Sequence, residues 1–216
     1  MRKDIKAGLL SAVETDLDAY MSDHGFRRGK NSLIYKRVIA GSTQIIDLTF
    51  DVRPKEDPVA LAALYPRMEV QIPAVDAVLE DMVGGATGEL AGYSEARTRQ
   101  GIHFTAEKAD PGRWYVYRLQ DLPAAVEQVR AFLDRWTMPL LDVYATPEDM
   151  VAAQARNDGR LTHARPQLVR VIAAALVCGK RDYAHALLEK RLGAPGARRL
   201  YKRVFDYVES YAERTA

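Results

Sequence analysis

A chain of 216 residues, 48% of them hydrophobic and 28% charged, can bury a core of its own and needs neither disulfides nor a structural metal to fold. Its single cysteine, Cys178, excludes an internal disulfide, and no stretch approaches the roughly 18 apolar residues of a membrane span, so we predict a cytoplasmic protein without membrane contact. The formal net charge of +2 combines an acidic middle, with 10 basic and 18 acidic groups in residues 41–151, and a basic end, with 13 and 6 in residues 152–216. Such a split marks either a partner surface or a basic end that docks on the acidic middle.

An amphipathic helix is the first predicted element. Its apolar residues recur at helical spacing, at Ile5, Leu9, Val13, Leu17 and Tyr20. This spacing predicts a helix over residues 3–23 that ends at Gly25, because glycine adopts the left-handed C′ conformation without steric strain.

A β-hairpin follows, with strands over residues 32–39 and 43–52 joined by a turn at 40–42. In the second strand the apolar side chains of Ile46, Leu48, Phe50 and Val52 alternate with the polar ones of Asp47, Thr49 and Asp51. The alternation predicts one face packed against the first helix and one wetter face. Residues 67–72 repeat the alternation and form the third predicted strand.

Proline and glycine mark the next elements. Pro73 opens a short predicted helix that stops at Gly84. Five glycines lie between residues 84 and 101, with little apolar pattern, and they predict a long, poorly ordered loop.

Two more strands are predicted at residues 101–106 and 113–118. Asp110-Pro-Gly112 between them has the composition of a turn, so we expect the two strands to pair as a hairpin.

From residue 121 onward the periodicity is helical. One helix is predicted from Asp121 to Pro139, and a second begins at Thr146, where threonine, proline and Asp149 form the sequence of a capping box. Three further helices are predicted at 166–178, 181–192 and 196–213. Cys178 lies in an apolar run and is expected to be a small buried side chain rather than a reactive thiol.

These elements predict an α+β fold, because strands and helices do not alternate as a doubly wound fold requires. We expect about five strands in a mostly antiparallel sheet with helices packed on one face, followed by an all-helical C-terminal segment. The corresponding division is an α+β domain at residues 1–145 and a helical segment packed on it at residues 146–216.

Common catalytic and ligand motifs are missing from the sequence. The glycine-rich stretch at 84–88 lacks the lysine of a phosphate-binding loop, and no serine lies in a nucleophile elbow. No two of the four histidines have the i,i+3 or i,i+4 spacing of a helical metal site. We therefore assign no catalytic residue, cofactor or metal ligand from motifs.

The candidate site is the polar face of the predicted sheet. If the apolar halves of the strands all face the helices, the opposite face gathers Asp47, Asp51, Glu69, His103, Tyr115 and Tyr117, along with Thr49, Gln71 and Thr105. Carboxylates, a histidine and hydroxyls on one face suit a polar ligand or acid–base chemistry. An antiparallel sheet also fills its wet face with such residues without any function, which is the commoner case.

Two basic clusters, within residues 27–37 and 198–203, could contact phosphates. The aromatic residues of the last helix have core spacing, however, and Lys202 and Asp206 form an i,i+4 pair on its outer side. Nucleic acid is therefore disfavoured, and we expect a protein partner or a small polar ligand.

A resemblance rests on four short segments of the chain. They are Gly25-Phe-Arg-Arg-Gly-Lys-Asn-Ser-Leu-Ile-Tyr-Lys-Arg37, Gln44-Ile-Ile-Asp-Leu48, Asp121-Leu-Pro-Ala-Ala-Val-Glu-Gln-Val129 and Pro139-Leu-Leu-Asp142. Over residues 3–150 the sequence resembles a family of uncharacterised bacterial domains of unknown function. The resemblance implies a helix–hairpin–sheet fold with no established activity, and some members look like immunity proteins, which neutralise a toxin by binding it. Immunity proteins against nucleases are often strongly acidic, which this chain is not.

Two functional hypotheses stay open. The first is a non-enzymatic, immunity-like binding protein that uses the polar sheet face and the glycine-rich loop beside it. The second is a small hydrolase or transferase in which His103 and either Asp47 or Glu69 act as acid and base. A histidine held by a carboxylate in a closed pocket would favour the enzyme, and a histidine on an open surface would favour the binding protein.

Overall fold

The computed structural model describes residues 1–106 and 112–214. Within these residues the chain forms ten α-helices and eight β-strands, which is an α+β fold. The helices are α1 (Arg2–Asp16), α2 (Asp18–Asp23), α3 (Pro73–Val83), α4 (Leu122–Phe132), α5 (Met138–Leu141), α6 (Pro147–Ala155), α7 (Arg165–Val177), α8 (Arg181–Leu192), α9 (Pro195–Leu200) and α10 (Lys202–Arg214). The strands are β1 (Arg27–Arg28), β2 (Ile34–Ile39), β3 (Ser42–Asp47), β4 (Phe50–Val52), β5 (Ala62–Leu64), β6 (Arg67–Gln71), β7 (Thr98–Gly101) and β8 (Trp114–Val116). None of the helices in the described residues combines the length and the apolar character that a bilayer crossing requires.

The strands form two antiparallel sheets. The large sheet has the order β1-β2-β3-β6-β7, and the small sheet has the order β4-β5-β8. The predicted five-stranded antiparallel sheet is confirmed, and a second sheet adds to it. The predicted strand over residues 43–52 is divided, because β3 ends at Asp47 and Phe50–Val52 pairs with β5. The alternation of apolar and polar residues continues from β3 into β4, so the sequence pattern did not reveal that the strand is divided.

The hairpin of β2 and β3 forms as predicted. Ala40 and Gly41 in its turn have φ angles of 48° and 77°, the left-handed pair that a type I′ turn requires. The register pairs Tyr35 with Ile46, and both are buried on the inner face of the sheet. This register fixes which side chains face the core, since successive residues of a strand point to opposite faces.

Polar side chains also occupy the inner face. The Arg37 guanidinium donates to the Gln44 amide oxygen (2.7 Å) and pairs with Asp142 (2.6 Å). The Gln44 amide nitrogen in turn donates to the carbonyl oxygens of Leu141 (2.6 Å) and Tyr144 (3.1 Å). These bonds join the large sheet to the end of α5, and each buried polar group of Gln44 is satisfied.

The chain between residues 98 and 106 differs from the prediction. β7 lies inside the stretch predicted to be a loop, and a 3-10 turn (Ile102–Thr105) replaces the predicted strand at 101–106. The alternation of Ile102 and Phe104 suggested a strand with both on one face, but Ile102 is buried whereas Phe104 is 51% exposed.

The predicted hairpin partner of the strand near residue 115 is also wrong. β8 pairs with β5, which lies some 50 residues earlier in the sequence, rather than with residues 101–106. Such a long-range pairing leaves no local sequence signal. Asp110 and Pro111 of the predicted turn lie outside the described residues.

Residues 84–97 are irregular, as predicted, but they are anchored to the core. Two 3-10 turns, Gly88–Leu90 and Tyr93–Glu95, place Leu90 and Tyr93 in buried positions. The Tyr93 hydroxyl lies 3.0 Å from that of Tyr201. The buried side chains of Leu90 and Tyr93 thus anchor residues 84–97, although the glycines of this stretch predicted poor order.

The helices follow the predictions with local interruptions. The first predicted helix breaks at Leu17 into α1 and α2, and Gly25 after it has the expected left-handed φ of 80°. A π-helical turn, Leu133–Thr137, connects α4 to α5. The capping box of α6 is confirmed, because the Asp149 amide donates to Thr146 Oγ1 (3.1 Å) while Asp149 Oδ2 accepts from the Thr146 amide (2.9 Å).

The C-terminal helices share one hydrophobic core with the sheets. The core runs from Ile5 in α1 to Val208 in α10, and α7 lies against α3, α6 and α8 with nearly every side chain buried. Arg170 of α7 is completely buried and forms an ion pair with Asp76 of α3. The helical segment is therefore packed directly on the part of the chain that carries the sheets.

Candidate functional site

The outward surface of the large sheet, called the outer face here, is open. No side chain of the outer face is buried. From the strand register, its members are Arg27, Ile34, Lys36, Val38, Thr43, Ile45, Asp47, Arg67, Glu69, Gln71 and Arg99. Asp47 and Glu69 therefore share one face, as the sequence predicted.

The two carboxylates do not stand alone on the outer face. Arg99 lies between them, with its nitrogens 3.9 Å from Asp47 Oδ2 and 3.7 Å from Glu69 Oε2. Gln71 donates to Glu69 Oε1 at 2.7 Å. The face therefore carries mixed charge, whereas the sequence predicted carboxylates, a histidine and hydroxyls on it and no arginine.

The arginines of the outer face were missed by sequence reasoning. Arg67 has the same strand parity as Glu69, so its position was available from the sequence. The position of Arg99 could not be predicted, because its strand, β7, was not recognised from the sequence.

Asp51, Tyr115 and Tyr117 are not on the outer face, which corrects the prediction. Asp51 and Tyr115 lie in register across the small sheet. Tyr117 follows β8 and is 52% exposed, and its hydroxyl donates to Asp57 (2.9 Å), which raises the pKa of Tyr117. The prediction that these residues share a face with Asp47 is wrong because residues 43–52 form two strands, β3 and β4, that belong to different sheets.

His103 lies in a cleft where the two sheets meet, called the His103 cleft here, rather than on a strand. The cavity has a volume of about 370 Å³. It is lined by Tyr65, Arg67, Arg99, Gln100, Gly101, His103, Phe104, Gly112 and Arg113. Thr105, predicted to share the polar face with His103, is instead fully buried and donates to the Ile102 carbonyl oxygen (2.7 Å).

The surroundings of His103 favour its neutral form. Burial lowers its pKa, and its ring packs on that of Phe104 with centroids 4.1 Å apart. A Cβ atom at Gly101 would lie 2.5 Å from the imidazole, so only glycine leaves room for this ring position. Within the described residues, no carboxylate lies within hydrogen-bond distance of His103.

Tyr65 organises the arginines of the cleft. The guanidinium carbons of Arg67 and Arg113 lie 5.4 Å and 5.0 Å from its ring centroid, and its hydroxyl donates to Asp51 (3.0 Å). Arg113 is neutralised by Asp51 (3.2 Å) and Glu56 (3.1 Å). Arg67 stacks on Tyr65 but makes no side-chain hydrogen bond or ion pair with a described residue.

In the described part of the chain, no group of three or more histidine, cysteine or carboxylate side chains is placed to hold a metal ion. Comparisons with known proteins add no assignment: no protein-family model matches the chain, and no curated protein or solved structure is significantly similar to it.

Proposed function

We propose that this chain is a non-enzymatic binding protein whose protein partner docks on the outer face of the large sheet. The observation that carries the proposal is the presence, on one face, of exposed aliphatic side chains and of cations that form no ion pair with a described residue. Ile34 and Val38 are 38% and 77% exposed, and Lys36 lies between them on β2. Neither Lys36 nor Arg67 forms an ion pair with a described residue. A partner that supplies apolar contacts and acidic groups would satisfy both kinds of side chain.

Acid–base catalysis has less support from the same residues. A catalytic histidine is normally oriented by a third group, and His103 has no described carboxylate to orient it. Asp47 and Glu69, the proposed partners in catalysis, contact Arg99 instead.

Some members of the family of uncharacterised bacterial domains that residues 3–150 resemble look like immunity proteins, so a protein toxin is the partner class to test first. In that role the outer face would bind a protein toxin and block its action. The mixed charge of the face, on which Lys36 and Arg67 form no ion pair with a described residue, fits a toxin surface that carries carboxylates more readily than a basic nuclease surface.

The docking proposal is tested with a matched pair of valine substitutions. Val38→Asp places a charge on the outer face near the hairpin turn of β2 and β3, whereas Val143→Asp places the same charge at a 54% exposed site after α5. Both variants should fold. We expect Val38→Asp to weaken a purified partner complex by at least about tenfold and Val143→Asp to leave it unchanged, measured as Kd by biolayer interferometry.

Protection from amide exchange in the same complex should cover β2 and β3. Equal binding by both variants, or protection elsewhere only, would contradict the proposed surface. A hydrolase or transferase activity that His103→Ala lowers on the order of a hundredfold would contradict the non-enzymatic role.

A further inference from the structure

The charge asymmetry of the sequence is only partly neutralised inside the molecule. Among the described residues, two arginines of the basic C-terminal segment form ion pairs with the acidic middle: Arg165 with Glu89 (3.1 Å), and Arg170 with Asp76. The other ion pairs that the described side chains of the segment are seen to make lie within it. Ion pairs between the described residues of the two regions therefore account for a small part of the asymmetry.

A groove between α6 and α8 is lined by two of the remaining basic side chains, Lys190 and Arg191. It has a volume of about 360 Å³ and includes no acidic residue in its lining. The lining side chains that matter here are Gln154, Asn157, Tyr183, Leu187, Lys190 and Arg191.

The two cations of the groove, Lys190 and Arg191, have no counter-charge among the residues that the structure describes. Neither Lys190 nor Arg191 makes a hydrogen bond or an ion pair with a described residue. Glu189, the carboxylate next to them in sequence, is engaged by Arg198 and by His185 (3.9 Å). The groove therefore presents a guanidinium fork and an ammonium group to solvent, and both suit carboxylates.

The other lining groups suit a polypeptide. Leu187 is buried in the core and forms an apolar floor, and Tyr183 is half-buried beside it. The side-chain amides of Gln154 and Asn157 can both donate and accept hydrogen bonds, which is what the backbone of an extended peptide needs. We propose that this groove binds an acidic peptide segment of a partner protein, with carboxylates on Lys190 and Arg191 and an apolar side chain on Leu187.

This site is separate from the outer face, so it can be present whether or not the outer face binds a partner. A nucleic acid fits the groove less well than a peptide does. Nucleic-acid surfaces track the backbone with a long row of cations and stack bases on exposed aromatic rings, whereas this groove has two cations and one half-buried tyrosine.

The proposal is tested by NMR titration of the full chain with the peptide acetyl-Glu-Glu-Leu-Glu-Glu-amide. We expect amide shifts that concentrate on α6 and α8. The double variant Lys190→Gln/Arg191→Gln should weaken binding about fivefold to tenfold, because it removes both charged contacts. Arg199→Gln is the matched control, since Arg199 is an exposed cation of α9 outside the groove, and it should change the affinity less than about twofold.

Three outcomes would overturn the proposal. They are equal weakening by the double variant and the control, equal binding of the glutamine version of the peptide, and tighter binding of a single-stranded oligodeoxythymidine to the same amides. Lys190 and Arg191 are exposed, so their replacement should leave the fold intact, and circular dichroism melting verifies this.

Discussion

At the scale of single residues, Arg170 has a structural role that the sequence did not predict. It lies in an apolar helix and is fully buried, with its guanidinium bound to Asp76 and to the Ala96 carbonyl oxygen (3.1 Å). A charge in this position is tolerated only because its partner is present, since an unpaired buried charge is strongly destabilising.

Asp76→Asn tests this pairing. We expect it to lower the free energy of unfolding by about 3–5 kcal/mol, because Arg170 would remain buried without a counter-charge. The control is Asp206→Asn, which breaks the exposed pair with Lys202 and should change stability by less than about 0.5 kcal/mol. Denaturant melts measure both, and similar small losses would show that the buried pair is not needed.

Cys178 gives a second test at this scale. It is half-buried rather than fully buried as the sequence suggested, and burial together with Glu148 raises its pKa to about 11. At pH 8 the folded thiol is almost wholly protonated, so iodoacetamide should react about a hundredfold more slowly than with the unfolded chain. Glu148→Gln should speed the reaction, and mass spectrometry follows both rates. Equal rates in buffer and in denaturant would contradict the raised pKa.

At the scale of elements, the assignment of strand faces decides what is core and what is surface. Ile45 and Ile46 are adjacent in β3 and chemically identical, but Ile46 is fully buried and Ile45 lies on the outer face. A slip of one residue in the register would exchange them.

Alanine variants of Ile45 and Ile46 test which of the two side chains faces the core. Ile46→Ala should lower the free energy of unfolding by about 2–5 kcal/mol, because it leaves a cavity in the core. Ile45→Ala should lower it by less than about 1 kcal/mol, since a surface substitution leaves no cavity. Thermal and urea melts distinguish the two, and the reverse order would show that the register is wrong.

At the scale of the whole molecule, the helical end and the sheets depend on each other. The Gln100 side chain of β7 donates to the Arg160 carbonyl oxygen (2.6 Å) and accepts from the Thr162 amide (2.9 Å). Together with the Arg170–Asp76 pair, these bonds tie the helical end to the sheet and to α3.

We therefore expect a chain truncated after residue 145 to lack a cooperative unfolding transition. The truncation uncovers the apolar side of α3, removes Arg170 from Asp76 and leaves the buried Gln100 side chain without its partners. The full chain should unfold in one step, with fluorescence and circular dichroism coinciding. A truncated chain with a sharp transition of its own would show that residues 1–145 are an independent domain.

The sequence by itself determined the α+β class, the first hairpin, the capping box of α6 and most helix positions. These features depend on local rules, namely the periodicity of apolar residues, the glycine of a left-handed turn and the threonine and aspartate of a capping box. The placement of Asp47 and Glu69 on one face followed from strand parity alone.

Only the tertiary structure decided which strands pair and what surrounds each polar side chain. The division after Asp47, the pairing of β8 with β5 and the turn that carries His103 bring together residues far apart in the sequence. The alternation of side chains is the same whichever sheet a strand joins, so no local pattern could separate Asp51 from Asp47. The net charge of the outer face also depends on the tertiary structure. Arg99 lies beside Asp47 and Glu69 because it is in β7, a strand that the glycine-rich sequence around it did not predict.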